Sequence, residues 1–479
     1  MSAPPIARYV LCKNESSSTL KILLEIKKSF VDDPGNVLRD WSDDNQNFCK
    51  WRGLSCSRNS LQVVSLNLSD SSLGGSTSPS IGFLHDLLQL DLSSMESLLL
   101  FSNQLTGPIP TEIGLLKNLQ VLRIGDNGLT GPIPNTFGNL EHLVTLGLAS
   151  CSLSGMIPPE LGNLSLLENL NLQENQLEGP IPAEIGNCPG LVAFSVALNN
   201  VNGSIPQELA NLRNLQVLNF ANNNLTGQIP TQLVEMNQLQ YLNLLGNQLE
   251  GPIPKSLAKL SNLQRLDLSG NRITGEIPGE FGNMGQLQFL VLTSNNLSGS
   301  IPKTICSNTS SLEHMMLSEN QLSGEIPVEL RECISLKQLN LSNNTLNGSI
   351  PVELYELVEL TDLLLNNNTL VGSLSPLIAN LTNLQTLALS HNNLRGNIPK
   401  EIGMLGNLEI LFLYENQLSG EIPMEMGNCS SLQMIDFYGN AFTGRIPITI
   451  GSLRNYCKQF LLIIFHFQFS FHFHPQIYL

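Results

Sequence analysis

Apolar residues recur along this chain in a fixed frame, LxxLxLxxNxLxGxIPxxLGNL, seen for instance as Leu119, Leu122, Ile124, Asn127, Leu129, Gly131, Ile133 and Pro134. The asparagine stands at 103, 127, 175, 199, 223, 247, 271, 295, 320, 344, 368, 392, 416 and 440, and Cys151 fills the one gap. The step is 24 residues, with a single step of 25 before Asn320. Alternation in LxL sends one face of a short strand into a core and leaves the residues between facing out, so successive strands are predicted to stack as a parallel sheet. The asparagine follows where the chain turns inward. Its amide both donates to and accepts from backbone groups that the turn leaves unpaired, which predicts a ladder of such side chains. Glycine supplies a backbone angle denied to other residues, and proline fixes the next segment as extended while removing a donor. The xxLGNL stretch is predicted to return the chain as a short helical turn. No coil buries its leucines alone, so stability is a sum over neighbours.

A period of this length and composition is the leucine-rich repeat signature. The fold class it predicts is an α/β repeat: a right-handed, curved leucine-rich solenoid with a parallel sheet on the concave face and short 3-10 or helical turns on the convex face. The LxGxIP variant resembles the plant-specific class of this repeat, found in receptor kinase ectodomains and in polygalacturonase-inhibiting proteins, over roughly Leu61 to Leu453. LLEIKKSFVDDPGNVLRDWSDDNQNFCKWRGLSC, Leu23 to Cys56, resembles the helical N-terminal cap of those proteins and holds both tryptophans, Trp41 and Trp51. A cap is needed because the first strand otherwise exposes an unpaired edge and a slice of leucine core. LTGPIPTEIG, LRIGDN, LFLYENQLSGEIP and VELTDLLLNNNTLVGSLSP, with the Gly-x-Leu-Ser departure at Gly372 to Ser375, are most similar to the GASSHO-type receptor kinases. The expected organisation is a disordered segment over 1–18, a cap over 19–60, about 16 repeats over 61–453 with one truncated near 95–98, and a non-repeat hydrophobic tail over 454–479.

Charge narrows the function. Forty acidic against 24 basic residues give -16, which argues against a sequence-independent nucleic-acid binder, since phosphate contacts need a basic face. Cys49 and Cys56 resemble the disulfide of such caps; zinc would need two further ligands, and none lies nearby in the sequence. Cys306 and Cys333 sit in successive repeats, where a disulfide and a pair of buried free thiols are both open. Cys188 and Cys429 lie in GNC turns and read as buried small hydrophobes. Thirteen Asn-x-Ser/Thr sequons, among them Asn67, Asn163, Asn202, Asn224, Asn296, Asn340, Asn367, Asn380 and Asn428, are compatible with glycosylation in a secreted protein, although the repeat itself supplies these residues at these spacings.

Three irregularities stand against a complete receptor. MSAPPIARYVLCKNESSSTL holds no apolar run of signal-peptide length. Phe460 to Phe473 is apolar but only 14 residues long, too short for a membrane-spanning helix, and the histidines at 466, 472 and 474 lack companion metal ligands. From Met95 to Asn103 the period shrinks to eight residues, so that either LQLDL or SLLLF is expected to leave the sheet, because parallel neighbours need a crossover of a dozen or more residues. Together they read as a truncated or mis-spliced product.

The chain carries no phosphate-binding glycine loop, no kinase HRD or DFG motif, no GxSxG and no HExxH, so neither catalysis nor a cofactor is expected. What a repeat sheet offers is a recognition strip at the positions six, four, two and one residues before each asparagine. Along it stand Tyr241 and Leu245, Phe289 and Val291, Phe412 and Tyr414, and Met434 and Tyr438, with Arg123, Arg265 and Asp267 on the same face. Recurring exposed aromatics point to a partner, although single exposed apolar residues are common; the arginines suit a carboxylate or sulfate. The GASSHO resemblance implies secreted, tyrosine-sulfated peptides as ligands, a co-receptor kinase for the full-length receptor, and a plasma-membrane, extracellular setting. The polygalacturonase-inhibitor resemblance implies the alternative, a secreted blocker of cell-wall hydrolases.

Overall fold

The computed structural model describes residues 19–57, 62–81, 95–307 and 311–452. The expectations for 1–18 and 454–479, and the LQLDL stretch, lie outside these residues. The chain divides into two compact units, one up to Leu249 and one from Glu250.

The first unit opens with a helix over 19–29, whose Leu23 and Ile26 are fully buried. The buried rings of Trp41 and Trp51 lie 5.3 Å apart, tilted by 31°, and their indole N–H groups donate to Arg52 O and Asn45 O, both at 3.0 Å. Large rings with satisfied donors fill a layer where the leucine core is thin. A disulfide joins Cys49 to Cys56. Strand Leu54–Cys56 lies antiparallel to Val63–Asn67 and so covers the edge of the first repeat strand. From there Val63–Asn67, Ser97–Leu99, Val121–Arg123, Thr145–Gly147, Asn169–Asn171, Ala193–Ser195, Val217–Asn219 and Tyr241–Asn243 run parallel, neighbour to neighbour.

Ser65 pairs with Ser97, 32 residues on, and Leu66 with Leu98. SLLLF therefore keeps its place in the sheet as the rung beside Val63–Asn67, while LQLDL, the other stretch of which one was expected to leave it, lies outside the described residues. The asparagine ladder holds at this rung too: Asn103 Oδ1 accepts from Ser71 N and Leu73 N, and its Nδ2 donates to Leu68 O.

From Asn175 to Asn416 the ladder asparagines are buried, and Asn199 shows how they bond. Asn199 Nδ2 donates to Val196 O and Ala197 O in its own turn and to Leu172 O of the preceding coil, while its Oδ1 accepts from Leu177 N at 2.9 Å. The residue before the asparagine adopts a left-handed backbone in coil after coil, as at Glu174 with φ 55. A second parallel sheet follows the ladder, formed in this unit by Gln104–Pro108, Gly128–Gly131, Ser152–Met156, Gln176–Pro180, Asn200–Ser204 and Asn224–Gly227. Its glycine takes a positive φ, +76 at Gly131, where a side chain would be strained. Pro134 and its counterparts then start five-residue 3-10 turns such as Asn135–Asn139.

The second unit repeats this plan. Its strands Arg265–Asp267, Phe289–Val291, His314–Met316, Gln338–Asn340, Asp362–Leu364, Thr386–Ala388, Ile410–Phe412 and Met434–Asp436 are parallel. A disulfide joins Cys306 to Cys333 between successive coils. At the Gly-x-Leu-Ser departure the second sheet falls to the isolated bridge Ser349↔Val371, and Ser375 caps the next 3-10 turn by accepting from Leu377 N at 3.2 Å.

Candidate ligand-binding face

The outward positions of each strand stack in columns, because neighbouring rungs pair in register. In the first unit Val121, Thr145, Asn169, Ala193, Val217 and Tyr241 form one column, and Arg123, Gly147, Asn171, Ser195, Asn219 and Asn243 the next. Small side chains at Gly125, Gly147, Ala149, Ala193 and Ser195 leave a depression of about 630 Å³ bounded by Phe101 and Arg123. Arg123 is exposed, its guanidinium lies 4.6 Å from the Phe101 ring centre, and no carboxylate pairs with it among the described residues. A cation over an aromatic face beside an open trough is arranged to meet an anion. The trough has no large exposed side chain to announce it in the sequence; its signal is glycine and alanine at successive outward positions. Tyr241 is half-buried, and its hydroxyl oxygen accepts from Asn243 Nδ2 at 3.0 Å.

In the second unit Arg265 is not an open cation. Its Nη2 pairs with Asp267 Oδ2 at 3.2 Å and its guanidinium lies 5.1 Å from the Phe289 ring centre. Asp267, expected to touch ligand, is only 4% exposed and also accepts from Ser269 Oγ at 2.5 Å. The short carboxylate turned along the strand to its neighbours, so it positions Arg265 and does not reach the surface. Phe289 stacks on His314 at 4.4 Å with planes 7° apart. Val291, Phe412 and Tyr414 are half-buried, and Tyr414 meets Phe412 and His391 edge-on at 6.2 and 5.0 Å. Met434 and Tyr438 are exposed, at 38% and 40%.

Asn67, Asn163, Asn202, Asn224, Asn296, Asn367, Asn380 and Asn428 are exposed. Asn340 differs: it lies in a strand of the face, half-buried, and its Oδ1 accepts from Ser342 N and Oγ at 3.1 and 2.7 Å. Cys188 and Cys429 are buried free thiols that donate to Leu161 O and Ile402 O, and burial pushes each up to about 11, the state of inert rather than nucleophilic cysteine. Among the described residues no cluster of His, Cys, Asp or Glu is arranged to hold a metal ion, and no helix is long and apolar enough to cross a membrane.

Comparison with known proteins agrees with this geometry. Residues 17–57 match the leucine rich repeat N-terminal domain, 192–363 a leucine-rich repeat region, and 118–140, 142–164, 166–188, 383–405 and 407–429 the single leucine rich repeat. The chain is 54% identical over 120 residues to the receptor-like serine/threonine-protein kinase GSO2 of Arabidopsis thaliana, a match covering 21% of this chain and 9% of that receptor. It is similar to the solved ectodomain of the plant membrane receptor kinase GASSHO1/SCHENGEN3 from Arabidopsis thaliana in complex with CASPARIAN STRIP INTEGRITY FACTOR 2: 59% identity, TM-score 0.83, covering 90% of this chain and 54% of that one. The plant peptide hormone receptor RGFR1, solved with RGF2, is 33% identical with TM-score 0.69, covering 85% of this chain and 82% of that one. The shared cap and repeats, with the likeness to these solved ectodomains, place this chain in the leucine-rich repeat family, among the ectodomains of plant receptor-like kinases.

Proposed function

We propose that this chain is a ligand-binding ectodomain segment that captures a secreted peptide on its strand faces, as the extracellular part of a plasma-membrane receptor-like kinase. The observation that carries the reading is its 59% identity to an ectodomain solved with CASPARIAN STRIP INTEGRITY FACTOR 2. The face supports it physically. An extended peptide needs a trough of small residues to lie in and a few fixed polar anchors, and the first unit offers Gly147, Ala149 and Ser195 beside the uncompensated Arg123. A sulfate ester on a tyrosine suits that anchor, since its charge pairs with the guanidinium while its ring lies in the trough. Tyr241, Phe289, Val291, Phe412, Tyr414 and Tyr438 supply apolar contact in their own units. Glycans at the exposed sequons and a co-receptor kinase for the full-length receptor belong to the same proposal.

Calorimetric titration of the chain with synthetic CASPARIAN STRIP INTEGRITY FACTOR 2, tyrosine-sulfated and unsulfated, tests it. The sulfated form binds more tightly by roughly ten- to hundredfold, the scale of one charge-assisted hydrogen bond, and Arg123→Gln abolishes the difference. Failure of both forms to bind overturns the reading; sulfate preference that survives Arg123→Gln removes Arg123 from it.

A further inference from the structure

Within the second unit one column of the face is a connected row of side chains. Arg265, Phe289, His314, Gln338 and Asp362 pair strand to strand in register. Each is held by the next: the guanidinium over the phenyl ring at 5.1 Å, the phenyl ring on the imidazole at 4.4 Å, and His314 Nδ1 to Gln338 Oε1 at 2.8 Å. Gln338 Nε2 donates to Asp362 Oδ2 at 2.9 Å, which turns the amide oxygen towards His314. Thr361 Oγ1 donates to the same carboxylate oxygen at 2.8 Å. Rotamers locked in this way present their chemistry without an ordering cost on binding.

Charge in the row is compensated everywhere but at one end. Arg265 is neutralised by Asp267, and Glu313 beside His314 is neutralised by Lys337 at 2.8 Å. Asp362 is oriented by two neutral donors, and among the described residues no cation pairs with it. A half-exposed, fixed carboxylate at the end of an aromatic ledge is complementary to a cation joined to an apolar group.

Resting on the peptide-binding reading, we infer that this row is a second recognition site, at which Asp362 receives a basic group of the ligand while an apolar or aromatic ligand side chain lies against Phe289 and Val291. Spacing sets the ligand's pattern. Phe289 and Asp362 are three rungs apart, about 14 Å at about 4.8 Å per rung, which an extended peptide covers in about four residues. The ligand class is thus a segment with lysine, arginine or an amino terminus about four positions from an apolar anchor.

Panning the purified chain against a phage-displayed library of random dodecapeptides tests this. Wild type enriches peptides with a basic residue at that spacing, Asp362→Asn weakens their binding at least tenfold, and Asp362→Lys selects an acidic residue at the same place. The charge reversal is a gain of function, so a loss of folding cannot imitate it. A wild-type pool without the basic residue, or one that binds Asp362→Asn as well as wild type, overturns the inference. Peptides lost with Arg123→Gln but kept with Asp362→Asn overturn it and leave peptide capture standing, whereas no enrichment with any variant overturns both.

Discussion

Restoring asparagine at position 151 should stabilise the first unit. Cys151 occupies the ladder position, half-buried, where burial pushes its thiol up and its Sγ donates to Ile124 O over a long 4.0 Å. The flanking coils show what is missing. Asn127 Nδ2 donates to Leu100 O, Ile124 O and Gly125 O, all at 3.0 Å. Asn175 donates to Leu148 O, Leu172 O and Gln173 O, and accepts from Leu153 N at 3.0 Å. In Cys151→Asn the same geometry offers Nδ2 to Ile124 O, Leu148 O and Ala149 O, and Oδ1 to Leu129 N. Two or three added bonds at ~0.5–1.5 kcal/mol each, less the rotamer freedom lost, give about 1–3 kcal/mol. A repeat array need not unfold in one step, so the local readout is hydrogen exchange at the Leu129 amide, expected to slow roughly five- to hundredfold. Unchanged or faster exchange at Leu129 in a variant with wild-type circular dichroism would show that side-chain amides do not tie these coils together.

Other perturbations separate face from frame. A Cβ at Gly147 meets Arg123, whose Cγ is nearest at 3.3 Å, so Gly147→Leu should fill the trough and abolish peptide binding while the melting temperature holds; at Gly125 a Cβ falls 2.4 Å from Ala149 O, and Gly125→Ala should cost about 1–3 kcal/mol by denaturant titration. Burial of Tyr355 pushes its phenol up to about 12, against 10 in the unfolded chain. Because the folded value is the raised one, stability is intact below about pH 10 and falls as pH climbs towards 12, by roughly 2–3 kcal/mol, and Tyr355→Phe should flatten that alkaline loss in melting curves. Opening the Cys306–Cys333 bridge, which spans 27 residues, should cost about 3–4 kcal/mol by chain entropy, read as faster hydrogen exchange in the flanking coils of Cys306→Ser/Cys333→Ser.

Most of the frame was legible because the repeat states one local rule many times over: strand, asparagine, glycine and proline each act within their own coil and its neighbour. Legibility failed where the rule was thin or broken. The second sheet was read as punctuation, since QLxGx buries one leucine and shows no alternation long enough to announce a strand. At the eight-residue step after Met95 the sequence left open whether LQLDL or SLLLF stays in the sheet, and the pairing of Ser65 with Ser97 shows that SLLLF does. Of the face, the sequence named which positions point outward but not what their side chains do there.

By itself, then, the order of residues determined the coil, its period, the ladder and the outward columns, all of which follow from contacts 22 to 27 residues apart. Only the stacked structure decided that Asp267 is consumed by Arg265, that Arg123 is left as a bare cation beside a trough, and that five side chains lock into a row ending at Asp362. Those outcomes depend on distances across several rungs, and no repeat carries information about the side chain its neighbour will present.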